Sequence, residues 1–290
     1  MDMAGAKIVE FKVILAGDKM AWVTDFVPHL ALILLAGSAL AAEPAKSPVL
    51  PKVPRNAEAD AATYDRCLKL SRQDPRAAQR LAQSWRERGG AHPADHCAAV
   101  ALVGLKQYRE AATRLEALAA DMKTAPPGLR ADVLDQAAQA WLLAGDAARA
   151  YAAAGQALSL QPDDPDLLVD RAEAAASAGY FDKAVADLDR VLQADPGRPD
   201  GLIYRASANR ALDRLDPALA DVEKALAEAP NSVPALLERG NIRRLKGYTK
   251  GAREDWERVG ELAPGSQADM AARSNLEHLA RDSPPAKSLE

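Results

Sequence analysis

An all-α solenoid, a stack of repeated helix-turn-helix units, is the fold class this sequence predicts, and three observations predict it. Prolines recur every 34 residues at Pro162, Pro196, Pro230 and Pro264. Three more ladders run in the same register: Ala150, Ala184, Ala218 and Ala252; Leu134, Leu168, Leu202 and Leu236; and the small residues Ala138, Ala172, Ala206 and Gly240. Hydrophobic residues make up 48% of the 290 while aromatics make up only 4%, so Ala and Leu carry the apolar share. That composition suits close helix-on-helix packing and not a sheet of aromatic and β-branched side chains.

Along the chain the first 42 residues differ from the rest. The apolar run VPHLALILLAGSAL over 27–40 closes on Ala41 and Ala42, with Lys7, Lys12 and Lys19 ahead of it. This is the pattern of a secretory leader, with cleavage expected near Ala41 or Ala42 and a periplasmic product. The alternative is a chain anchored in the membrane by an uncleaved segment, against which stand its length and the interruption at Pro28 and His29. A linker over 43–56 follows. Segments 57–72 and 75–89 read as two helices divided at Asp74-Pro75 and closed by Gly89-Gly90. A degenerate unit spans 94–122, and 124–128, with Pro126-Pro127-Gly128, reads as a non-helical joint.

Four regular units then cover 131–164, 165–198, 199–232 and 233–266. In the second, Leu168, Ala172, Ala175 and Ala176 lie at helical spacing, as do Ala184, Leu188, Val191 and Leu192. Gly179 ends the first helix and Asp182 is placed to cap the second. Small Ala172 and Ala184 allow a close crossing, and Pro196 stops the second helix. In the third unit Asp213 stands where the turn glycine is expected, and Asp216-Pro217 reads as a cap with a first-turn proline. Residues 267–281 form a terminal helix that covers the last apolar face, and 282–290 form a tail expected to be disordered.

At these positions the chain resembles the tetratricopeptide repeat family, whose 34-residue unit carries this order of large, small and terminal proline residues. The resemblance is close over 131–264 and weaker at Lys106-Gln107-Tyr108-Arg109-Glu110-Ala111-Ala112. It implies a right-handed solenoid whose first helices line a concave groove that binds a protein or peptide.

By that implication the groove residues are Asp132, Asp135 and Gln139; Asp166, Val169, Asp170 and Glu173; Ile203, Ser207 and Arg210; and Leu237, Asn241 and Arg244. The groove is expected to run from acidic at its first two units to basic at its last two. Val169, Ile203 and Leu237 either give it an apolar line or pack between neighbouring first helices. The repeated Lys and Asn by which one subset of the family grips acidic chaperone tails are matched only by Asn241, so a cytosolic chaperone is not the expected partner.

Arg171, Arg205 and Arg239 are each followed after 16 residues by Asp187, Asp221 and Asp255, whereas the first unit has Ala137 and Ala153 at those places. Acid and base appear together and vanish together, which reads as a structural ion pair between the helices of one unit in preference to an anion site. Cys67 and Cys97 are the only cysteines, and in an exported chain they read as a disulfide between the first and third helices. The rival is a metal held by Cys67, His92, His96 and Cys97, against which Pro93 places His92 at the helix start; both histidines then read as surface residues.

No nucleophile elbow, zinc-protease, phosphate-loop or dinucleotide motif is present, so no enzyme and no cofactor is expected. Asp163-Asp164 reads as a polar turn, and Trp85, Trp141 and Trp256 as core. With net charge −4 and dispersed cations, nucleic acid is excluded as a partner. What remains is a non-catalytic scaffold or assembly factor binding a protein or peptide of the bacterial envelope. The alternative is a stable accessory subunit of a membrane or secreted complex.

Overall fold

The computed structural model describes residues 55–282, which form thirteen α-helices and no strand. The leader over 1–42, most of the linker and the tail beyond 282 lie outside the described residues. In order the helices are α1 (Arg55–Gln73), α2 (Pro75–Glu87), α3 (Ala91–Gly104), α4 (Tyr108–Asp121), α5 (Pro127–Leu143), α6 (Ala147–Leu160) and α7 (Pro165–Ser177). They continue as α8 (Phe181–Ala194), α9 (Pro199–Ala211), α10 (Leu215–Glu228), α11 (Val233–Leu245), α12 (Thr249–Leu262) and α13 (Gln267–Asp282).

Each helix packs on its neighbours in sequence, and the first helices α5, α7, α9, α11 and the terminal α13 also touch one another in succession. The ladders explain why. Leu134, Leu168, Leu202 and Leu236 are buried, and Ala150, Ala184, Ala218 and Ala252 are fully buried where first and second helices cross. At Gly240 the approach is so close that an added Cβ would lie 2.4 Å from Trp256 Nε1. The four prolines instead sit exposed in the turns between units. One continuous apolar core runs from α3 to α13, while Cys67, Ala78, Ala82, Cys97 and Ala101 make a separate small core beneath α1 and α2.

The turns inside the units share one left-handed residue: Gly145 (φ 75°), Gly179 (φ 80°), Asp213 (φ 60°) and Gly247 (φ 79°). The degenerate unit uses Lys106 there, at φ 59°. Caps differ from the sequence expectation. Asp74, Asp146 and Asp164 accept backbone N–H bonds at the starts of α2, α6 and α7. Asp182 and Asp216 do not cap: each lies inside the first turn of its helix, which begins one residue earlier, and is used by a cation of the next unit, Arg214 and Lys246. The joint is also shorter than expected. Pro127 and Gly128 belong to α5, because a first-turn proline has no N–H to lose and its fixed φ suits helix initiation.

Candidate functional site

The side chains proposed to face a ligand lie on α5, α7, α9 and α11, and the structure sorts them by depth. Asp166, Gln139 and Arg244 are exposed; Asp132, Asp135, Asp170 and Glu173 are half-buried. Val169, Ile203 and Leu237 are 3%, 5% and 2% exposed and belong to the core, so the apolar line is packing between first helices and not a surface. Ser207 and Asn241 are buried as well.

Arg210 corrects the expected gradient from acid to base. It is buried, and its Nε donates to Glu238 Oε1 at 2.6 Å, so its charge is neutralised within the array. Arg198, outside the expected strip, pairs with Asp166 at 2.6 Å and Asp200 at 2.8 Å, and its pKa is raised mainly by the bond to Asp200. Asp132 is pushed toward its protonated form first by burial and then by the nearby charge of Asp164.

A row of polar groups beside the expected strip was not anticipated. Gln136, Asp170, Tyr204 and Glu238 stand 34 residues apart, as do Asn241 and Asn275. Asn275 Nδ2 on α13 donates to Asn241 Oδ1 on α11 at 2.9 Å, and Gln136 Oε1 meets His96 Nε2 at 2.7 Å. Polar residues recurring one place beyond Val169, Ile203 and Leu237 were the available signal. Ser207 Oγ and Trp256 Nε1 are buried without a hydrogen-bond partner among the described residues.

The arginines at 16-residue offsets are engaged inside their own units. Arg171 donates to both oxygens of Asp187 at 2.8 and 2.5 Å. Arg205 does the same to Asp221 at 2.8 and 2.7 Å, with Asp189 as a further partner at 2.7 Å. Arg239 reaches Asp255 at 2.6 Å, and Arg243 adds a second cation to that carboxylate at 2.9 Å. The aspartates are nearly buried, and the Arg171 guanidinium is held further into its charged form by the Asp187 bond. Planar two-point pairs of this kind leave no donor fork for a ligand.

Cys67 and Cys97 are joined as a disulfide between α1 and α3, both fully buried, with a Cα–Cα distance of 6.0 Å. The four residues of the metal reading do not converge. The cysteines bond each other, His92 meets Asp121 at 3.1 Å, and His96 is held between Tyr64 and Gln136, each at 2.7 Å. His96 is therefore not a surface residue: burial lowers its pKa, opposed by the bond to Gln136. Among the described residues no cluster of three or more His, Cys, Asp or Glu is arranged for a metal ion. The tryptophans are core, with indole N–H bonds from Trp85 to Asp60 and from Trp141 to Glu116. Asp164 caps α7 and Asp163 takes Arg190, the structural use of that acidic pair.

No protein-family model matches the chain. No curated protein matches it either. Solved structures do. TTC0263, a tetratricopeptide repeat protein of Thermus thermophilus, matches with TM-score 0.51 and 18% identity over 66% of this chain and 100% of that one. YrrB, described as a tetratricopeptide repeat protein with an unusual peptide-binding site, matches with TM-score 0.49 and 14% identity over 67% of this chain and 96% of that one. MamA from residue 41 to its end, of Desulfovibrio magneticus RS-1, matches with TM-score 0.47 and 20% identity over 65% and 95%. The first of these likenesses identifies the fold as tetratricopeptide-like.

Proposed function

We propose that this tetratricopeptide-like array is a non-catalytic scaffold that holds a protein or peptide of the cell envelope along the strip shared by its first helices. The fixed register carries this reading. Equivalent positions of α5, α7, α9 and α11 return every 34 residues, so a segment laid across the array meets the same kind of position unit after unit. The accessible members of the strip are polar: Asp132, Asp135, Gln139, Asp166, Asp170 and Glu173 toward one end, Arg244 toward the other. Such charges set orientation and association rate, and the ligand's backbone and polar side chains supply the remaining bonds.

Placement outside the cytoplasm rests on the apolar run 27–40 followed by Ala41 and Ala42, and a buried disulfide between Cys67 and Cys97 suits an oxidising compartment. No described helix is long and apolar enough to cross a membrane.

The test is site-specific photocrosslinking in cells. A crosslinker at Gln139, Asp166 or Arg244 should capture one shared protein, while the same group at exposed Glu223 or Lys224 on α10 should not. Capture of that protein from α10 alone would overturn the assignment of the strip. Mass measurement of the captured chain should show a start at Ala42 or Glu43, and an intact leader would remove the export reading.

A further inference from the structure

A polar chain with a titratable ring at its centre ties the amino-terminal helices to the array. Tyr64 Oη on α1 lies 2.7 Å from His96 Nδ1, and His96 Nε2 lies 2.7 Å from Gln136 Oε1 on α5. The amide oxygen only accepts, so Nε2 carries the ring hydrogen, and bare Nδ1 takes the Tyr64 O–H. The phenol is kept in its donor form, its pKa pushed up to about 12 by burial and then by Asp65. Both bonds in these directions require neutral imidazole. A proton on Nδ1 would face the phenol hydrogen and leave a half-buried cation.

The surroundings supply no counter-charge bonded to the ring. On α3 itself His92 is tied to Asp121, and Asp95 is paired with Arg86 of α2. From α1, Asp60 accepts the Trp85 indole; from α4, Glu116 accepts the Trp141 indole. From α5 come Asp132, itself pushed toward its neutral form, and Asp135, which accepts from Gln139. Apolar packing does not replace the tie, since the core beneath α1 and α2 is separate from the one that runs through α5.

We propose that His96 is a pH-sensitive latch: neutral, it fastens α1 and α3 to α5, and protonated, it releases them. The Cys67–Cys97 bond keeps α1 and α3 together, so they loosen from the array as one body. The sign follows from a folded-state pKa held below the ordinary value of about 6.5. The latch is fully closed above about 6.5 and opens as pH falls through the lower folded-state value. This inference is independent of the binding strip.

Hydrogen exchange of the full, unreduced chain tests it, with protection factors corrected for intrinsic rates at about pH 7.5 and about pH 5. Amides of α1–α3 should lose about tenfold or more in protection at the lower pH relative to those of α8–α12, one tenfold step matching one unit of pKa displacement. His96→Gln, which cannot titrate, should remove that difference, and Tyr64→Phe should lower protection of α1–α3 already at the higher pH. Should His96→Gln disturb folding, nuclear magnetic resonance titration of the wild-type ring decides: its midpoint must lie below about 6.5 and coincide with the loss of protection. An equal loss in a folded His96→Gln chain, or a ring that titrates without change in protection, would overturn the latch.

Discussion

Arg210 on α9 and Glu238 on α11 form the most deeply buried ion pair among the described residues, 5% and 0% exposed and 2.6 Å apart. It joins the first helices of consecutive units at the depth where Ile203 and Leu237 also pack. Removing one partner strands the other charge away from water, a loss of roughly 3–5 kcal/mol. Glu238→Gln and Arg210→Met should each lower the denaturant midpoint accordingly, whereas Arg210→Met combined with Glu238→Leu should recover most of the loss. Equal instability of single and double variants would mean that packing volume, and not charge, matters there.

A second prediction concerns Gly240, whose missing side chain admits the Trp256 indole. Gly240→Ala forces the ring or α11 to move and should cost about 1–3 kcal/mol, with a shifted tryptophan emission. Gly155, in the middle of α6 with nothing within 4 Å of an added Cβ, is the control. Its change to Ala should raise stability by about 0.5–1 kcal/mol. Thermal melts of both variants check the contrast.

These positions show what the sequence made legible. The 34-residue ladders located the crossings, because a crossing tolerates only small side chains and repeats with the unit. The 16-residue offset between Arg and Asp located the intra-unit pairs, because presence and absence were correlated. Depth on the first helices was not legible. Val169, Ile203 and Leu237 sit on a strip that faces outward in one unit taken alone, and only contact with the next first helix buries them. For the same reason Arg210 read as a rim charge, since its partner Glu238 stands 28 residues away on another unit. His96 read as a surface residue because neither Tyr64 nor Gln136 is near it in sequence.

The turn residue offers a third prediction. Lys106 occupies the left-handed conformation that glycine fills at 145, 179 and 247. A side chain there costs about 1–2 kcal/mol, so Lys106→Gly should stabilise the chain by about 1 kcal/mol after the greater freedom of the unfolded glycine is allowed for. Asp213→Gly should gain less, because aspartate tolerates this conformation. Gly179→Ala should lose about as much as Lys106→Gly gains. Chemical denaturation of the three variants supplies the comparison.

Reduction gives the fourth. The disulfide spans 30 residues, and closing such a loop removes about 3–4 kcal/mol of unfolded-state freedom in the chain-entropy model. Reductant should therefore expose α1 and α2 to limited proteolysis while α5–α13 stay resistant. Two thiols should label in the reduced, unfolded chain and none in the unreduced one. Digestion that starts instead in the repeat array would show that the amino-terminal helices hold without the bond.

The packing of each helix only on near neighbours in sequence has a mechanical consequence. No contact staples one end of the array to the other, so tension applied to the two ends meets interfaces in series and not one shared barrier. A single molecule stretched between its termini should therefore yield in steps. Each released unit of 34 residues should add roughly 110–120 Å of extended chain. The piece between Cys67 and Cys97 should add nothing until the bond is reduced, because the covalent link carries the load past it. A tether of this kind gives length gradually under pull, which makes the array a compliant element between whatever is attached to its two ends.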